Sequence, residues 1–187
     1  MSDFKKELES LNQDVENILE DSKVVKKRLH SGNKGHRSER ALCKILTERF
    51  QKPFERAVGS GNRWGQVKSL PQHAKDTLLG DVCCPENFLW VLESKCGYED
   101  KIDFTSIWSG NSTFDQFLDQ ADAESHRSGR KPMLLYKRNR RPWLAAVKNS
   151  DLPDNFSMDK VHLRYGEWVL MTLDFLLSNP DSLFFKI

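Results

Sequence analysis

The stretch GDVCCPENFLWVLESK, residues 80–95, constrains the fold of this chain more than any other. Its second half is an apolar run, Phe88 to Leu92, that reads as a strand and ends in Glu93, Ser94 and Lys95. Its first half carries Asp81 inside a similar run, Thr77 to Cys84, and Pro85-Glu86-Asn87 between them predicts the turn of a hairpin. A charge in such a run is expensive to bury unless it is paired or holds a metal. Strand side chains repeat every two residues, so Glu93 and Lys95 point to one side of the sheet, and Asp81 faces them if the hairpin register allows. Two converging carboxylates repel each other unless a cation sits between them, and hard oxygen ligands suit Mg²⁺ or Mn²⁺. Lys95 beside such an ion places positive charge where a water becomes hydroxide or where charge develops on a phosphate, which is the chemistry of metal-assisted hydrolysis. The plainer reading is an Asp at a strand edge and a Glu-Lys pair exposed at a strand end. The three residues alone leave both open.

At 187 residues the chain is long enough for one domain with a substantial core plus an appendage. Five Trp and eleven Phe among abundant charges suit a globular protein and argue against disorder. No apolar run approaches the roughly 20 residues that cross a bilayer, and MSDFKKELES is not a secretory leader, so a cytoplasmic protein without a membrane partner is expected. Cys43, Cys83, Cys84 and Cys96 contain no CxxC spacing and are read as reduced, mostly buried thiols. The formal charge of +2 says little, but positive residues gather at 23–40 and again at 127–141. Solvated faces and nucleic-acid contacts both fit that distribution.

Along the chain, Phe4, Leu8, Leu11, Val15, Ile18, Val25 and Leu29 follow heptad steps, interrupted at Ser22, and predict one long helix over residues 3–29. Residues 1–30 are therefore an expected oligomerisation segment and 31–187 the main domain. Self-association is one use of that apolar seam, and packing on its own domain is the other. The stretch SGNKG breaks the helix. A second helix is expected from about Arg37 to Phe50, with Leu42, Ile45 and Leu46 on one face, Ala41 close by and Glu39 in its first turn. A short strand at Phe54–Val58 follows, then the glycine-rich loop GSGNRWG, irregular through Pro71. After the hairpin, Asn111 or Ser112 caps a helix carrying Phe114, Phe117, Leu118 and Ala121 that ends near Ser128-Gly129. MLLYKR and WLAAV are two strands joined at Asn139-Arg140, RYGEWVLM is a further strand, and DFLLSN a short helix or turn. Mixed α/β architecture follows, a central sheet flanked by helices.

The pattern D-x(11)-E-x-K, with an apolar strand before the Glu, resembles the PD-(D/E)xK nuclease superfamily. Lys34-Gly35, Glu39-Arg40 on the first helix and the loop Gly59-Ser60-Gly61 resemble the archaeal-type Holliday junction resolvases over about residues 31–147. The resemblance implies a restriction-endonuclease-like αβββαβ core with a mixed central sheet, here preceded by the heptad helix. It implies an Mg²⁺-dependent DNA endonuclease, with Mn²⁺ able to substitute, acting on branched DNA as a homodimer. Carried over by position, it makes Asp81 and Glu93 metal ligands together with the carbonyl of Ser94, Lys95 the catalytic lysine, and Glu39 an acid completing the site through metal or water. Ser60 would sit near the scissile phosphate or hold a mobile loop, and Gln120, with Gln116 as its rival, resembles a helix glutamine near the site, simple exposure being the other reading of both glutamines. Gly80 stands where the motif has Pro. Lys34, Arg37, Arg40, Arg63, Lys68, Arg138, Arg140 and Arg141 are candidates to grip phosphates, contacts that carry shape rather than sequence information. Trp64 either wedges at a distorted site or packs on its own loop. Two other functions fit the sequence: a nickase or degradative endonuclease on duplex DNA, and a non-catalytic coiled-coil adaptor that binds DNA through a degenerate nuclease fold.

Overall fold

The computed structural model describes residues 35–57, 79–98 and 112–186. The heptad segment, Lys34, the loop holding Ser60, Arg63, Trp64 and Lys68, and Asn111 lie outside the described residues. The chain divides into two units, Met1–Arg37 and Ser38–Ile187, and apart from residues 35–37, which begin the first helix, the architecture below belongs to the second.

Helix α1 covers residues 35–50. Leu42, Leu46 and Phe50 are buried and Ile45 packs beside them, as their spacing requires; Cys43 joins this face while Ala41 is exposed. The expected strand after it shortens to β1, Glu55–Arg56, which pairs antiparallel with β2, Val82–Cys83. The expected hairpin is therefore corrected. β2 does not ladder with the strand that follows, β3 (Trp90–Cys96); β3 pairs in parallel with β4 (Lys131–Lys137). The physical reason lies at Gly80, whose φ of +82° turns the chain out of an extended path before Asp81.

The five-stranded mixed sheet has the order β3-β4-β5-β7-β6, with β5 at Trp143–Lys148, β6 at Leu163–Tyr165 and β7 at Trp168–Thr172. RYGEWVLM is thus a hairpin, not one strand: Gly166, at φ +56°, turns the chain between β6 and β7. Between β3 and β4 runs α2, Thr113–Ser128. Ser112 caps it, accepting from the Asp115 N–H while its own N–H donates to Asp115, and Gly129 ends it in the left-handed conformation. α3, Leu173–Leu177, follows β7.

Alternation along β3 and β4 divides the core between the two faces of the sheet. Trp90, Leu92, Met133 and Leu135 join α1 and α3, whereas Leu134, Ala146 and Leu170 meet Phe114, Phe117, Leu118 and Ala121 of α2. Beyond α3 the chain returns to the start of β3. Leu89 N–H donates to Phe184 O at 2.7 Å, Lys186 N–H to Asn87 O at 2.9 Å, and the Trp90 indole N–H to Leu183 O at 2.9 Å. Phe88, Phe184 and Phe185 pack there against Phe50 and Phe54, and Arg49 holds the approach through Leu177 O, Asn179 O and the Asp181 carboxylate. Residues 150–187, which lay beyond the sequence resemblance, supply two of the five strands and this closure. Of the four thiols, Cys43 and Cys84 are buried and Cys83 and Cys96 half-buried, none of them in a disulfide.

Candidate active site

β3 is an edge strand, and Asp81 is fastened to its open side. The Asp81 N–H donates to Leu92 O at 2.9 Å, and the Ser94 N–H donates to Asp81 Oδ2 at 2.9 Å. The Asp81 carbonyl in turn accepts from the Ala57 N–H at 3.0 Å, which ties this junction to the end of β1. Only glycine fits before it. A Cβ at position 80 would lie 2.6 Å from Leu92 O, and the positive φ is strained for any other residue. In an extended strand a residue's N–H and C=O point the same way, so the Ser94 carbonyl faces the same open edge as the amide that holds Asp81.

Glu93 and Lys95 project to the opposite family of positions on β3, toward α2. Glu93 is 3% exposed, and Lys95 Nζ lies 2.6 Å from its Oε1 in a close ion pair. Burial, with the Asp81 charge adding to it, pushes the Glu93 carboxyl up to about 7 against the pull of Lys95. Glu124 raises it further. The Lys95 ammonium also stands 5.3 Å above the Phe117 ring of α2.

The other sequence candidates fall in distinct places. Glu39 pairs with the Arg56 guanidinium, and both side chains are largely buried. Arg56 is opposite Val82 in the β1–β2 ladder, so this pair reaches the strand next to Asp81. Among the described residues no group of three or more His, Cys, Asp and Glu side chains is arranged to hold a metal. Gln120 and Gln116 are exposed, off the stripe of α2 that packs on the sheet. The residue of that helix whose charge reaches Glu93 is Glu124, which the sequence reading missed. The spacing Phe117, Ala121, Glu124 places it one turn beyond the packed face, and that spacing was the available signal. Arg37 and Arg40 are exposed on α1. Arg138, Arg140 and Arg141 are exposed on the β4–β5 turn, and the register Cys96 to Lys137 puts that turn at the Lys95 end of β3.

Two buried atoms near the junction, Glu93 Oε1 and Ser94 Oγ, have no hydrogen-bonded partner among the described residues. A buried carboxylate held beside a second one, with a strand carbonyl on the adjacent edge, is a donor set that suits a hard divalent cation.

The mixed sheet carries an acid fastened to its edge strand and an E-x-K pair on that same strand. The chain belongs to the family described as "phage putative PDDEXK endonuclease", whose pattern matches residues 30–181. Protein D14 of Escherichia phage T5 is a relative, 31% identical over 138 residues that cover 71% of this chain and 80% of the phage protein. No solved structure matches the chain. PDDEXK nucleases generally use divalent metals. Among the described residues no helix is long and apolar enough to cross a membrane.

Proposed function

We propose that the chain is an Mg²⁺-dependent endodeoxyribonuclease that cuts branched DNA as a homodimer. The observation that carries the metal dependence is Glu93, a carboxyl beside Asp81 that burial first and the Asp81 charge second hold toward its neutral form, so that a bound cation would favour its ionised form. Asp81, Glu93 and the Ser94 carbonyl would hold the ion, with Mn²⁺ as a substitute, and the ion would lower the pKa of a water and offset charge on the phosphate. The Ser94 amide orients the Asp81 carboxylate, and the sheet pleat fixes Glu93 and Lys95 side by side. Lys95, the only cation paired to Glu93 among the described residues, is the group that orients the attacking water and steadies the developing negative charge. Glu39, aligned by Arg56, completes the acidic side through water. Arg138, Arg140 and Arg141, with Arg37, Arg40, Lys34, Arg63, Ser60 and Gln120, contact the backbone of the substrate.

Branched DNA is supported by the Lys34-Gly35, Glu39-Arg40 and Gly59-Ser60-Gly61 motifs shared with junction resolvases. Two symmetric cuts require two sites in fixed relation, which a two-fold dimer supplies, and the heptad seam of residues 3–29 offers it an interface. A labelled four-way junction and the matched linear duplex, each with Mg²⁺ and with EDTA, test the reading. Selective, EDTA-sensitive cutting of the junction is expected, and Lys95→Ala should lose it by orders of magnitude while still binding metal. Equal cutting of both DNAs defeats the branch selectivity, and no cutting defeats the enzyme. Light scattering that finds a monomer at tens of micromolar defeats the dimer.

A further inference from the structure

Tyr98 is the exposed large hydrophobic side chain among the described residues, 41% accessible, and it stands three residues beyond Lys95. Its backbone is also out of the ordinary, at φ +60°, a region that costs a non-glycine residue energy and persists only where the surroundings impose it. Here they do. Gly97, at φ +92°, is clamped on both sides: its N–H donates to Lys137 O at 3.0 Å, and its carbonyl accepts from the Tyr136 hydroxyl at 3.1 Å. The clamp delivers Tyr98 onto Phe117, ring centroids 4.9 Å apart and planes at 69°, and Phe117 is the ring beneath the Lys95 ammonium. Tyr98, Phe117, Lys95 and Glu93 thus form one contiguous row from solvent to the buried carboxylate. The arginine turn of β4–β5 flanks the solvent end of that row, because Gly97 is bonded to the residue that opens the turn.

One edge of the Tyr98 ring is packed on Phe117, and the part left accessible is an aromatic surface beside the arginine turn. We infer that Tyr98 is a stacking platform for one unpaired base of the DNA strand beside the scissile phosphate, and that it gives the site its preference for DNA whose bases are already unstacked. The inference rests on the reading of this site as one that acts on DNA. A ring face accepts any base, so the preference is for structure and not for sequence. Flanking arginines hold the phosphates on either side of the displaced base, which a fully stacked duplex cannot offer without the cost of unstacking.

The test uses the full-length chain and two oligonucleotides of one sequence, a matched duplex and a duplex with 2-aminopurine in a short bulge. Binding is measured in EDTA by anisotropy and stacking by 2-aminopurine fluorescence; cleavage is measured separately with Mg²⁺. The wild type should bind the bulged DNA more tightly and change its fluorescence. Tyr98→Ala should lower the bulge-to-duplex affinity ratio about thirtyfold, the middle of the range for one base on one aromatic side chain. Tyr98→Phe should keep both the ratio and the fluorescence change, since the ring and not the hydroxyl is used. Thermal unfolding of each variant shows that it is folded. An unchanged ratio in Tyr98→Ala, equal weakening on both DNAs, or a Tyr98→Phe as defective as Tyr98→Ala overturns the platform. Preferential binding that depends on Tyr98 without any cleavage upholds the platform and defeats the nuclease assignment, so the two failures are distinct.

Discussion

Glu93→Gln should abolish cleavage and yet stabilise the metal-free protein at neutral pH. The native carboxyl is raised from 4.5 to about 7, chiefly by burial. A carboxyl that holds its proton more tightly in the native chain contributes stability fully present below about pH 4.5, which drains away as pH rises through about 7. That shift corresponds to about 3 kcal/mol once Glu93 is ionised. Part of the gain in the variant is offset, because the buried amide must find partners of its own. A net stabilisation of about 1–2 kcal/mol at pH 8 is therefore expected, a rise in melting temperature of about 2–8 °C for a chain of this size. At pH 5 the native carboxyl is already protonated and the difference should shrink to less than about 1 kcal/mol. Thermal unfolding in EDTA at pH 5, 6.5 and 8, followed by titration with Mg²⁺ or Mn²⁺, reads all of this: metal should stabilise the wild type and not the variant. A Glu93→Gln protein less stable than wild type at pH 8, or a difference that does not change between pH 5 and 8, refutes the account of why this acid is buried.

Gly80→Ala should cost about 2 kcal/mol or more and displace Asp81, because the added Cβ meets Leu92 O at 2.6 Å on a backbone at φ +82°; chemical denaturation checks the first and metal affinity the second. Glu39→Gln should reduce turnover and, by leaving Arg56 without its carboxylate, cost about 1 kcal/mol of stability; stability lost with turnover intact would leave Glu39 a partner of Arg56 only. Neutralising Arg140 and Arg141 should weaken every DNA alike and flatten the salt dependence, by about 0.9 in the log-log slope for each phosphate no longer neutralised; a loss confined to one sequence would mean base readout at that turn.

What could be read from the sequence is what local rules decide. The caps of α2 are written at Ser112 and Gly129, and the sharing of one face by Glu93 and Lys95 follows from the strand period alone. The strands on either side of Asn139-Arg140 were legible because a turn signal separates two apolar runs. The hairpin failed because nothing in a local reading reports that Gly80 would adopt a positive φ, or that β3 would take β4 as its partner from across a helix. The β6–β7 turn was hidden by a single Gly-Glu pair inside an apolar stretch. Asp81 still reached its place beside Glu93, but by donating to and accepting from the strand edge and not by cross-strand pairing. Glu124 and Tyr98 were invisible for a related reason: their significance depends on what α2 and the end of β3 are packed against.

The closure of the core by residues 183–186 sets an order of events for the chain as it is made. β3 lies near the middle of the sequence, yet its first residues obtain their partners from Leu183, Phe184 and Lys186. A nascent chain that has reached only β5 holds Glu93 and Lys95 on a strand whose entrance, Phe88 to Trp90, is still uncovered. The five-phenylalanine cluster cannot form, and the scaffold around the acid pair remains loose, until residue 186 has emerged. Assembly of the candidate site is thereby coupled to late synthesis, and any fragment that stops at residue 181, where the family match ends, lacks the bonds that fasten β3 at its start.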